Sequence, residues 1–182
     1  MKFIKTAIPD VYIIEPSVFE DERGYFLESF NLREFEENIY PIKFVQDNES
    51  KSFKGVLRGL HFQKPPFEQA KLVRVLKGSI LDLAVDLRSD SPTYLQHVAI
   101  ELSALNFKQV FIPCGFAHGF LTLEDDCEIT YKISNYYNAS SDVSVSIFDK
   151  DIGITLPCKR DEITFSSKDA AGQSWSSVGE IF

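Results

Sequence analysis

Between residue 55 and about residue 134 the chain divides into short runs of strand length, at 55–63, 69–77, 79–87, 94–102, 107–112, 116–123 and 127–134. Most are joined by Gly, Pro, Asn, Asp or Ser. Short strands at this spacing, with turn residues between them, predict an antiparallel sandwich or small barrel and argue against a βαβ fold. In Ile80–Leu87 the alternation puts Leu81, Leu83, Val85 and Leu87 on one face and Asp82 and Asp86 on the other. Aspartates facing water need no explanation. Aspartates facing a barrel lumen would need partners such as Lys71, because an unpaired buried charge is costly.

The rest of the chain adds little to this pattern. Val11–Glu15 reads as a strand ended by Pro16, and Asp21–Ser29 as a polar turn leading into an extended run. Asn31–Asn38 is the one convincing helix, with Asn31 as its cap, early acidic residues that suit the dipole, and Pro41 to close it. Phe44–Ser50 runs extended, Val143–Phe148 is a further strand, and the end is a polar tail from about residue 172. A length of 182 residues fits one domain, 1–182, with a core that needs no staples. A charge of −8 argues against nucleic acid as a partner. No apolar run approaches a membrane span, and Met1–Thr6 lacks the apolar core of a signal peptide, so the expected location is cytoplasmic. Cys114, Cys127 and Cys158 show no C-x-x-C spacing and are expected to be reduced and mostly buried.

Chemistry-bearing residues interrupt the apolar strands in three places. Gly55–Gln63 holds Arg58 and His61 three residues apart, Gln69–Lys77 places Lys71 and Lys77 on one strand face and Arg74 on the other, and Ile112–Phe120 sets His118 beside glycines. A histidine on an apolar strand is more often a packed core residue than a catalyst, but these neighbours together predict a polar pocket inside a β-barrel. The metal signature of a cupin is half present. Pro113-Cys-Gly-Phe-Ala-His118 matches its last element, whereas the first is broken at His61 and Gln63, and with three histidines in all no metal is expected. The chain has no G-x-G-x-x-G, no Walker lysine loop and no G-x-S-x-G elbow, so no cofactor is expected either. What remains is acid–base chemistry. A neutral imidazole can take a proton from a carbon next to a ketone while an ammonium holds the enolate oxygen, and a tyrosine on the opposite side can return a proton with inversion. His61 and Lys71 fit the first two roles, and Tyr131 is one candidate among seven tyrosines for the third.

Asp21-x-Arg23-Gly-x-Phe26-x-Glu28, Gln46-Asp-Asn48, Leu57-Arg-Gly-Leu-His-Phe-Gln63, Lys71-Leu-Val-Arg-Val, Pro113-x-Gly-Phe-Ala-His-Gly-Phe120, Tyr131-Lys132 and Ser167-Lys-Asp169 follow one another in an order that resembles the dTDP-4-dehydrorhamnose 3,5-epimerase family, from about residue 8 to 171. The resemblance implies an all-β, cupin-like antiparallel jelly-roll barrel with one or two short helices. It also implies cofactor-independent 3,5-epimerisation of dTDP-4-keto-6-deoxy-D-glucose. His61 would be the base, Asp169 would hold its imidazole in the basic tautomer, Tyr131 would be the opposing acid and Lys71 would stabilise the enolate. Arg23, Arg58 and Lys168 would meet phosphate or sugar oxygens, with Glu28, Gln46, Asn48, His118 and Asp142 as further contacts, and Tyr137 would stack on thymine. Members of the family are homodimers in which the segment with Arg23 and Phe26 reaches the partner's pocket. The chain departs from the pattern at Ile147 and Leu156, where tryptophan is usual, and at Asp142, where glutamate is usual.

Three rival readings follow from the same residues: an epimerase of a single carbon or of another nucleotide-linked 4-keto sugar, a sugar-nucleotide binding module without catalysis, and a metal-dependent cupin oxygenase or isomerase. One tension is local. Strict alternation puts Arg58 and His61 on opposite faces of their strand, so either Gly59 marks a bulge or Arg58 acts from the strand end.

Overall fold

A computed structural model describes residues 1–182. In chain order the elements are β1 (Lys2–Lys5), β2 (Tyr12–Glu15), β3 (Val18–Asp21), β4 (Gly24–Leu27), α1 (Leu32–Asn38), β5 (Gln46–Ser52), β6 (Leu57–Gln63), β7 (Lys71–Lys77), β8 (Ser79–Asp86), β9 (His97–Ser103), β10 (Gln109–Ile112), β11 (Phe116–Thr122), β12 (Cys127–Ile133), β13 (Asp142–Ser144), α2 (Ser167–Ala170) and α3 (Trp175–Val178). The strands form a six-stranded sheet in the order β1-β2-β10-β7-β12-β5, a five-stranded sheet in the order β13-β6-β11-β8-β9, and a separate β3-β4 ribbon. The pairings between these strands are antiparallel, as the strand spacing predicts. The two sheets face each other as a jelly roll, which leaves the short helices outside.

Side chains of both sheets meet in the space between them. Val73, Val75, Val110, Ile112 and Ile129 of the larger sheet pack with Ile80, Ala84, Leu102, Phe116 and Phe120 of the smaller. The outer faces are covered as well. Phe35 of α1 and Ile42 close over Ile14, Leu72 and Phe111 of the larger sheet, while Val145, Ile147, Ile152 and Trp175 close over Leu57, Leu60, Leu83, Val85 and Leu121 of the smaller. A strand buried on both faces loses its alternation, and every residue of β11 is accordingly buried. α1 forms as its sequence predicts: the Asn31 side chain accepts from the Glu34 N–H and Phe35 is its buried residue.

Several expectations change. β1 had no signal in the sequence and joins the sheet by pairing with β2. The polar turn at 21–29 belongs to a hairpin, β3 and β4, turning through Glu22 and Arg23 between the paired Asp21 and Gly24. Only the first part of 143–148 is a strand, and Val145 instead bridges Gln173 in parallel. The polar end carries the one-turn helix α3, just after α2, and docks on the body: Trp175 is buried and donates from Nε1 to the Tyr94 hydroxyl at 2.8 Å. All three cysteines are free thiols, but only Cys127 is buried; Cys114 and Cys158 are half-exposed. Asp82 and Asp86 face inward and both find partners. Asp86 accepts from Arg88, Ser91 and Thr93, and Asp82 contacts His118 directly while its charge also acts on Lys71.

Candidate active site

The cleft opens between the sheets, and a break in the ladder between β6 and β11 shapes it. His61 pairs with His118, yet Arg58 pairs with Phe120, so β6 spends one residue more than β11 over this span. The extra residue is a bulge at Gly59, whose φ is +115°, a conformation glycine adopts without a Cβ penalty. The bulge settles the alternation problem. It turns Arg58 and His61 to the same side, where both line a cavity of about 440 Å³ with Ser50, Lys71, His118, Phe120, Tyr131, Ser166, Lys168 and Asp169. A second cavity of about 330 Å³ shares His61, Lys71, Tyr131 and Lys168, and adds Gln46, Asn48, Gln63, Tyr137 and Asp142. The two are lobes of one cleft meeting at the histidine.

His61 comes from the smaller sheet. Its Nε2 lies 2.6 Å from Asp169 Oδ1, a close contact not yet aligned as a hydrogen bond. Asp169, only 9% exposed, is held from two sides, because Ser166 Oγ donates to Oδ2 at 2.6 Å and the Gly59 N–H donates to Oδ1 at 3.3 Å. Burial, helped by the Lys168 and Lys71 charges and opposed by Asp169, pushes the His61 pKa down to about 4. At neutral pH the imidazole is therefore uncharged, and an Nε2–H turned to Asp169 leaves Nδ1 free to accept a proton.

Across the cleft, Lys71 on β7 and Tyr131 on β12 project from the larger sheet. Burial lowers the Lys71 pKa to about 8, with Asp82 and Asp142 opposing and Lys168 assisting, so the group stays mostly cationic at neutral pH. Burial also holds the Tyr131 phenol above its ordinary value, with Arg58 pulling the other way, so it keeps its proton. A neutral base on one wall thus faces a protonated phenol and an ammonium on the other.

The remaining candidates divide into two groups. Arg58 stands at the mouth, its Nε donating to Ser52 Oγ at 3.1 Å. Lys168 is paired with Asp142, which also accepts from the Tyr137 hydroxyl at 3.0 Å. Gln46 Nε2 donates to Asn48 Oδ1 at 2.7 Å along the wall of the second lobe. His118 Nε2 is 2.8 Å from Asp82 Oδ2. These residues gather in the cleft. Arg23, Phe26 and Glu28 do not: the first two sit on the β3-β4 ribbon, Arg23 paired with Asp21 and Phe26 67% exposed, and Glu28 follows it on the surface. Lys77 also points away, towards Asp126. Sequence reasoning missed Ser166, although Ser166-x-x-Asp169 has the spacing of a helix cap. The chain has no group of three or more His, Cys, Asp or Glu side chains placed to hold a metal ion, and no helix is long and apolar enough to cross a membrane.

Fold and cleft together define a class, the cupin-like jelly-roll isomerases. Within it, the family model described as dTDP-4-dehydrorhamnose 3,5-epimerase matches residues 5–177. The chain is 54% identical over 172 residues to the dTDP-4-dehydrorhamnose 3,5-epimerase of Salmonella typhimurium, covering 94% of this chain and 93% of that one. It superposes on the crystal structure of the Elizabethkingia anophelis enzyme of that name with a TM-score of 0.94 at 47% identity, covering 97% of each chain. A Legionella pneumophila relative solved in complex with dTDP-4-keto-L-rhamnose gives a TM-score of 0.91 at 44% identity, over 95% of this chain and 92% of that one. The chain belongs to the dTDP-4-dehydrorhamnose 3,5-epimerase family, and it is an isomerase.

Proposed function

We propose that this chain inverts C3 and C5 of dTDP-4-keto-6-deoxy-D-glucose to give dTDP-4-keto-L-rhamnose, with acid–base side chains and no cofactor. The observation that carries this reading is the opposition of His61 and Tyr131 across one cleft, with Lys71 beside them. His61 takes the proton from a carbon flanking the ketone, and the electron pair moves onto the carbonyl oxygen, where the Lys71 ammonium meets the enolate charge. Tyr131 returns a proton from the opposite face of the ring, which inverts the carbon. Asp169 keeps the imidazole in the accepting tautomer and carries the counter-charge when it is protonated.

Arg58 and Lys168 bind phosphate or sugar oxygens, the guanidinium suiting two oxygens at once. Gln46, Asn48, His118 and Asp142 make further substrate contacts. Tyr137, 62% exposed beside the second lobe, stacks on the base. Arg23, Phe26 and Glu28 serve the cleft of a second copy in a homodimer. Two features support that arrangement: the ribbon lies away from its own chain's cleft, and it presents Phe19, Tyr25 and Phe26 to solvent, which favours a covering partner. The test is incubation of the protein with dTDP-4-keto-6-deoxyglucose in deuterium oxide, reading C3 and C5 separately by NMR. Deuterium at both carbons with formation of the L-sugar is expected; label at one carbon only would reduce the protein to a single-carbon epimerase, and no label at either would leave a binding module.

A further inference from the structure

Asp169 could turn its carboxylate in several ways, and orientations between the two that exchange its oxygens take the contacting oxygen away from His61. Free rotation would cost the pair its close contact in most conformers. The structure answers this with one residue that has no place in the chemistry described above. Ser166 precedes α2 and touches Asp169 twice: its hydroxyl accepts from the Asp169 N–H at 3.1 Å and donates to Asp169 Oδ2 at 2.6 Å. The first contact fixes the Asp169 backbone as a cap does. The second fixes the side chain, and with the Gly59 N–H on Oδ1 it leaves that oxygen turned to the imidazole. Ser166 itself lines the same cleft lobe as His61.

We propose that Ser166 is a positioning residue for the epimerisation, which locks the Asp169 carboxylate so that Oδ1 faces His61. This rests on His61 being the base. Ser166 touches no reacting atom and acts through Asp169 alone. A hydroxyl donating to a carboxylate is a charge-assisted bond, and its loss leaves a buried acceptor unpaired.

The experiment is a double-mutant cycle on the full chain, measuring kcat and KM for Ser166→Ala, Ser166→Thr, Asp169→Asn and the Ser166→Ala/Asp169→Asn pair, with thermal unfolding of each. Ser166→Ala is expected to lower kcat about ten-fold and leave KM within about two-fold, the loss of one charge-assisted bond. Ser166→Thr keeps a hydroxyl at the cap and is expected to recover most of the turnover. In the Asp169→Asn background the serine change is expected to cost almost nothing, because residues that act through one another are not additive. The proposal is overturned if Ser166→Ala leaves kcat unchanged while Asp169→Asn is impaired, if the serine costs the same in both backgrounds, or if its effect falls on KM. Asp169→Asn with full turnover would overturn the role given to Asp169, and the proposal with it, whereas full turnover of His61→Ala would overturn the base assignment on which both rest.

Discussion

At the scale of the residue, the cleft derives its chemistry from shifts that burial imposes. His61 is held at about 4 from a reference of 6.5, so the folded chain resists a proton that the unfolded chain accepts. This group therefore lowers stability as pH falls from 6.5 towards 4, and His61→Ala is expected to flatten that part of the stability profile in urea titrations. The same variant should lose about 10²- to 10⁴-fold in kcat, the usual contribution of a general base. Turnover requires an uncharged His61 and a charged Lys71, which the same physics places at about 4 and about 8. The profile of kcat/KM should accordingly be a plateau between these values, falling on either side, and Lys71→Gln should abolish the alkaline limb along with most of the rate. Tyr131→Phe separates the two halves of the reaction. His61 can still remove and restore a proton, so exchange with deuterium oxide is expected to persist while inverted product does not form. Both are read in one NMR experiment.

At the scale of the element, a single residue of extra length in β6 decides whether the site exists. Gly59 lies against Gly119, and a Cβ on Gly59 would stand 2.6 Å from both the Gly119 Cα and the His118 carbonyl oxygen. Neither backbone atom can move aside cheaply. Gly59→Ala combines a strained positive φ with overpacking, and is expected to cost about 2–5 kcal/mol in urea unfolding and to remove activity. The bulge was half legible in the sequence. Arg58 and His61 three apart demanded either a bulge or a strand end, and Gly59 between them was the sole hint of which. α1 was fully legible, because cap, buried Phe35 and Pro41 are local signals. The C-terminal segment was not. Its serines and charges read as a polar tail, yet one tryptophan anchors it under the five-stranded sheet beside Phe62 and Tyr94. Trp175→Ala is expected to destabilise by about 3–5 kcal/mol in thermal or urea unfolding, as removal of a buried aromatic does.

At the scale of the whole molecule, the β3-β4 ribbon is the part that its own chain leaves uncovered. In the proposed homodimer each cleft combines the body of one copy with the ribbon of the other, and symmetry makes the exchange reciprocal. Two inactive variants then rescue each other. A chain with Arg23→Ala has a good body and a poor ribbon, while a chain with His61→Ala has the reverse. Unfolding and refolding the two together should restore about a quarter of the wild-type sites, because half of the random pairs are mixed and each mixed pair holds one complete cleft. Failure of rescue, with both variants folded, would keep the ribbon within its own subunit.

The sequence alone determined the antiparallel strands, the capped helix and the identity of the polar residues set into apolar strands, since these depend on periodicity and on side-chain chemistry, which are local. Periodicity could not decide which carboxylate meets which cation or histidine; only the family resemblance paired Asp169 with His61, and the structure brings the two together. Asp82 went to His118, 36 positions on, and Asp169 arrived beside His61 from more than a hundred positions away. Partnership across such separations is set by how two sheets close on each other and by what covers their outer faces. Only the closed barrel holds that information, because the cost of burying a charge is levied on the folded state as a whole.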